Sequence, residues 1–100
     1  MGLKIYKFEI PIEDEFSINL PKGAKILTVQ EQQNLSGIFT LPYIWVLLDP
    51  DLGFIETRRF RLAGTGHSIT EYSHIEYDYI NTFQMHHGEL ILHLFEIIES

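Results

Sequence analysis

Arg58, Arg59 and Arg61 stand within four positions of one another and are all the arginines the chain has. Gly64-Thr65-Gly66-His67 follows almost at once. A guanidinium offers a planar fork of donors that fits carboxylates and phosphates. Glycines tolerate φ > 0, so successive backbone N–H groups can converge on an anion. Strand alternation would put Arg58 on one face with Phe60 and Leu62, and Arg59 with Arg61 on the other. Only that pair forms a patch. The candidate ligand-binding set is therefore Arg59, Arg61, Gly64, Thr65, Gly66 and His67, with Tyr72 available to stack on a base. The same residues also suit a plain solvated strand face, with the arginines paired to Glu56, Glu71 or Asp51. A surface ion pair of that kind contributes ~0–1 kcal/mol. The turn is not a Walker loop, because it lacks the Gly-Lys-Ser/Thr ending.

Other chemistry is thinner. His86 and His87 are adjacent, His93 follows, and His67 and His74 flank a polar stretch, but none has a recognised ligand spacing. Neighbouring residues point apart, so His86 and His87 do not converge on one ion. Glu13, Asp14 and Glu15 form a charge run that reads as a solvated loop. Glu71, Glu76 and Asp78 lie among Tyr72, Tyr77 and Tyr79, and a cleft there would need a carboxyl of shifted pKa to do acid–base work. Ser36, Ser68 and Ser73 have no Gly-x-Ser-x-Gly elbow around them. No catalytic residue, metal or cofactor is expected.

The chain has 100 residues, one domain's worth, with 14 acids against 7 bases and a net charge of −7. A duplex-DNA binder would have to overcome that charge with one concentrated basic face. Three arginines are too few, so double-stranded nucleic acid is not an expected partner. A small anion held by local donors remains compatible, because net charge governs the far field more than a pocket. There is no cysteine, hence neither disulfide nor thiolate site. The first residues carry no apolar run of signal-peptide type, and no segment reaches the ~20 apolar residues of a spanning helix. The expectation is a cytoplasmic protein away from membranes. Seven Phe, five Tyr and one Trp are many for this length. Aromatic surplus beyond a thin core commonly goes into a two-fold interface, so a homo-oligomer is an open expectation.

The elements that would position these groups are strands, since the dominant period is two. Tyr6, Phe8 and Ile10 alternate with polar neighbours, as do Phe16, Ile18 and Leu20. Residues 26–33 form a third run. Residues 44–48 are apolar throughout, predicting a central strand covered on both faces, with Pro42 at its start. Asp49-Pro50-Asp51-Leu52-Gly53 reads as a hairpin loop leading into a strand at 54–62. Residues 64–77 are polar, with room for one short helix. Residues 79–85 and 90–98 complete the set, the last an interior strand with helix as the competing reading. The fold class is mainly β: an antiparallel β-sandwich or small barrel of six to seven strands.

Several segments together resemble a known family. They include Lys22-Gly23-Ala24-Lys25-Ile26-Leu27, Trp45-Val46-Leu47-Leu48-Asp49-Pro50, Gly64-Thr65-Gly66-His67 and Tyr79-Ile80-Asn81-Thr82-Phe83-Gln84. The likeness, over residues 5–96, is to small phage- and prophage-encoded proteins grouped as a domain of unknown function. The family's turn has Pro after the His, where this chain has Ser68, so the loop here should be freer. The resemblance implies a phage accessory protein in the bacterial cytoplasm and supplies no reaction. Two functions fit. One is a non-enzymatic, anti-defence binding protein that sequesters a small phosphorylated, nucleotide-type host signal through the arginine pair. The other is a protein–protein interaction module that inhibits a host protein or serves phage assembly.

Overall fold

A computed structural model describes residues 2–33, 40–70 and 74–99. Seven strands run in chain order: β1 (Lys4–Glu9), β2 (Glu15–Pro21), β3 (Lys25–Gln33), β4 (Thr40–Leu48), β5 (Ile55–Gly64), β6 (Ile75–Met85) and β7 (Leu90–Glu99). They form two antiparallel sheets, ordered β1-β4-β3 and β2-β5-β7-β6. The sheets do not close into a barrel, so the sandwich reading holds and the barrel alternative is set aside. No helix occurs among the described residues. The 90–98 segment is a strand, paired on both sides within its sheet.

One core lies between the layers. Val29, Ile44, Val46 and Leu48 meet Phe16, Leu20, Phe60, Leu62, Phe83, Leu92 and Leu94, all buried. Phe16 stacks on Phe60 with ring centroids 5.3 Å apart. Each such side chain contributes about 1.5–3 kcal/mol of transfer free energy when fully buried. The period-two pattern produces this directly, since every second residue of each strand points inward.

Two expectations are corrected. Residues 49–53 do make a tight turn, with Leu52 N–H donating to Asp49 O at 3.2 Å and Asp51 N–H to Asp49 Oδ1 at 3.0 Å. It is not a hairpin: β4 and β5 belong to different sheets, so the turn crosses the core edge. Local turn chemistry specifies a reversal but not the sheet into which the chain returns. The second concerns β4, which is central but not covered on both faces. Pro42, Ile44, Val46 and Leu48 are buried, whereas Leu41, Tyr43, Trp45 and Leu47 are only half-buried on the outer side. Pro42 lies inside this strand. Its missing N–H falls where β1 ends, and its carbonyl accepts from Ile10 N–H at 3.0 Å. The one bond it cannot make is the reciprocal one to Ile10 O, at the very end of the β1–β4 pairing.

Two side-chain bridges pin β3 against the other sheet. Asn81 Oδ1 accepts Val29 N–H at 2.8 Å, and Asn81 Nδ2 donates to Val29 O at 3.2 Å. The amide thus stands in for a neighbouring strand. It sits where the β6–β7 register shifts between Tyr79 and Asn81, an irregularity that re-aims side chains. Nearby, Arg58 points inward and makes a bidentate pair with Glu96, Nε to Oε2 at 2.5 Å and a terminal nitrogen to Oε1 at 2.7 Å. Its remaining terminal nitrogen donates to Ala24 O.

Candidate functional site

Pleat and register place Arg59 and Arg61 together on the outer face of the four-stranded sheet, as alternation requires. Ser17, Arg59, Ile97 and Tyr77 form one cross-strand row. Glu15, Arg61, Phe95 and Tyr79 form the next. Tyr77 packs edge-on against Phe95 at 6.3 Å between centroids, and Tyr79 packs against the same ring at a tilt, at 5.6 Å. Arginines and tyrosines thus flank β7 from opposite sides. The period-two pattern of β6 and β7 carries this signal, because Tyr77 and Tyr79 alternate with Glu76 and Asp78.

The donors of both arginines are engaged within the molecule. Arg61 donates to the carbonyls of Asp14 at 3.1 Å, Leu62 at 2.8 Å and Ser68 at 3.2 Å. It also lies 3.4 Å from the Asp14 carboxylate, and its side chain is 13% exposed. The guanidinium therefore ties the β1–β2 loop and the segment after the glycine turn to the end of β5. Arg59 pairs with Glu99 and, at 3.7 Å, with Glu15. Among the described residues the acidic partners are Glu15, Glu99 and Asp14 rather than Glu56 or Asp51, because cross-strand register rather than sequence proximity selects them. Glu71 lies outside the described residues. Glu56 is instead 3.6 Å from Arg58.

The glycine turn is likewise built inward. His67 N–H donates to Gly64 O at 3.1 Å, and Gly66 has φ +88°. The His67 ring lies against Gly64, so close that a Cβ there would sit 2.9 Å from His67 Cε1. Thr65 Oγ1 is 2.8 Å from His93 Nε2, and His93 Nδ1 is 2.8 Å from Thr82 Oγ1. Tyr79 OH reaches Thr82 Oγ1 at 2.6 Å. Tyr72 lies outside the described residues; Tyr77, which donates to Thr70 O at 2.9 Å, lies on the arginine face.

A hydroxyl against an imidazole is the contact that nucleophilic catalysis uses. Here the second ring nitrogen meets another hydroxyl rather than an orienting carboxylate. The recess beside Arg61, about 350 Å³, is lined by Asp14, Glu15, Thr70 and Tyr77 and by neither Thr65 nor His93. A larger recess of about 600 Å³ lies between the ends of β3 and β6, where Gln30, Gln32, Gln33 and Gln84 give it an amide lining. Among the described residues no group of three His, Cys, Asp or Glu side chains could hold a metal ion.

The pKa of Arg58 is raised, first by the hydrogen bonds to Glu96, against an opposing effect of burial, with Coulombic help from Glu96 and Glu56. That guanidinium is a fixed cation between the sheets and is unavailable to a ligand.

Fold and face together define a two-sheet antiparallel β domain whose outer arginines are tied to its own carboxylates and carbonyls. The chain belongs to the family described as domain of unknown function (DUF7352), which matches residues 1–100. No curated protein and no solved structure matches it.

Proposed function

We propose that this protein is a non-enzymatic interaction module, a phage accessory protein of the bacterial cytoplasm that acts by binding a host protein. The observation that carries this reading is the corner where β5 begins. Phe54 and Ile55 are consecutive, large and apolar, and are 73% and 60% exposed. Pro21 pairs with Ile55 there, and Lys22 N–H donates to Phe54 O at 2.8 Å, so the corner is held by backbone. A rigid, exposed aromatic beside an aliphatic side chain is the kind of anchor that dominates protein interfaces. The alternative, sequestration of a small phosphorylated signal, requires an anion to displace Glu15 and Glu99 from Arg59 and three carbonyls from Arg61. What favours it is the placement of Tyr77 and Tyr79 on the same face, where a base could stack.

Affinity capture from bacterial lysate tests the first reading. The chain should retain a host protein that the doubly substituted Phe54→Asp, Ile55→Asp form does not, with unchanged circular dichroism. Equal capture by both forms would remove the corner from the account.

A further inference from the structure

The outer face of the β1-β4-β3 sheet is a second surface, on the opposite layer from the arginines. Down its middle run Leu41, Tyr43, Trp45 and Leu47 of β4, half-buried although no element of the described chain lies over them. On the β1 side Glu9 lies beside Tyr43, Lys7 beside Trp45 and Ile5 beside Leu47. On the β3 side the same rows hold Gln30, Thr28 and Lys25, with Gln32 beside Leu41. Ile5 is 58% exposed. The Lys7 ammonium lies 4.8 Å from the Tyr43 ring centroid and bonds Gln32 across β4, so these groups share one surface. In a chain of 14 acids and 7 bases, the face carries two lysines and one glutamate. A molecule of charge −7 repels its own copies, yet this face carries few charges and both signs, with Lys7 and Glu9 on adjacent rows of β1.

We infer that this face is covered by the same face of a second copy. The two-fold axis would run across the strands, midway between the Tyr43 and Trp45 rows. That operation exchanges neighbouring rows and makes every pairing complementary. Glu9 of each copy meets Lys7 of the other, Tyr43 meets Trp45, Leu41 meets Leu47, and Gln30 meets Thr28. A two-fold contact must be self-complementary in this sense. An axis along β4 would instead set Ile5 against Lys25, and an axis through the Trp45 row would set Lys7 against Lys7. The charge pattern therefore selects one arrangement. Two twisted sheets packed in this way lie about 10 Å apart with strands some 30° from aligned.

Nine residues of β4 and two flanking strands define the contact area. At about 3.3 Å per residue and about 4.8 Å between strands, the footprint is roughly 400 Å² per copy. Over both copies that is about 800 Å², below the ~1,200 Å² of stable specific interfaces and in the range of weak, transient ones, so the dimer should exchange readily and depend on concentration. The inference is independent of the Phe54–Ile55 corner, because Ile55 belongs to the other sheet.

Sedimentation equilibrium of the full chain over a concentration series tests it. Lys7→Glu alone and Glu9→Lys alone should each weaken the dimer at least tenfold, by setting like charges across the axis. The double exchange, Lys7→Glu with Glu9→Lys, should restore association, and thermal melts should show all three variants folded. A chain that stays monomeric at every concentration, a dimer unmoved by either reversal, or a double exchange no better than the singles would each overturn it.

Discussion

Asn81 carries more of the fold than its polar side chain suggests. Its amide satisfies both the N–H and the C=O of Val29, which has no exposed surface. Asn81→Ala would leave two buried backbone groups without partners, at a cost of about 2 kcal/mol. For a domain of this length that lowers Tm by roughly 10 °C, measurable in a thermal melt. A melt within a degree or two of the parent would show that the amide bridge is incidental. Arg58 is the other interior polar anchor, and its pKa is raised on folding. A raised basic pKa contributes stability that is fully present below the unfolded value and lost only as pH climbs through the folded one. That window lies in strong alkali, so Arg58 supplies no pH dependence across the neutral range. Neither role was legible in the sequence. Alternation showed that Arg58 faces inward with Phe60 and Leu62, but its carboxylate partner lies 38 residues away.

Among the elements, the Gly64-Thr65-Gly66-His67 turn shows how a motif can be read correctly in place and differently in purpose. Glycine was expected there for its freedom to cradle an anion. The structure uses that freedom only at Gly66, whose φ of +88° disfavours any Cβ. Gly66→Ala should therefore cost about 1 kcal/mol in chemical denaturation. Gly64→Ala should cost less, because its Cβ would meet only the ring of the exposed His67, which can swing aside. The reverse order of costs would mean that the His67–Gly64 contact, rather than backbone conformation, holds the turn. The strands themselves were legible because alternation survives in each of them. What alternation could not give was their assignment to sheets. The 49–53 turn has the composition of a hairpin and yet joins two layers, since its residues fix a reversal and nothing about hydrogen-bond partners. The same limit hid the partners of Arg59 and Arg61, which come from β2, β7 and the β1–β2 loop.

For the molecule as a whole, its two layers present different surfaces to a partner. The four-stranded sheet turns outward a set of arginines, acids and tyrosines already engaged with one another. The three-stranded sheet turns outward an aromatic and aliphatic stripe flanked by Lys7, Glu9 and Lys25. Aromatic abundance in the composition signalled surplus apolar surface, but only register showed that Tyr43 and Trp45 lie on one open face. On the proposed reading Arg59 and Arg61 are engaged by the chain's own carboxylates and carbonyls rather than by a ligand, and the partner is a protein. Native mass spectrometry tests it most directly, using the chain purified from bacterial lysate with and without a panel of nucleotides and cyclic oligonucleotides. The predicted spectrum contains the bare protomer mass and its multiples throughout the panel. A shift of a few hundred daltons per protomer, abolished when Arg59 and Arg61 are both changed to Ala in a still-folded chain, would contradict it.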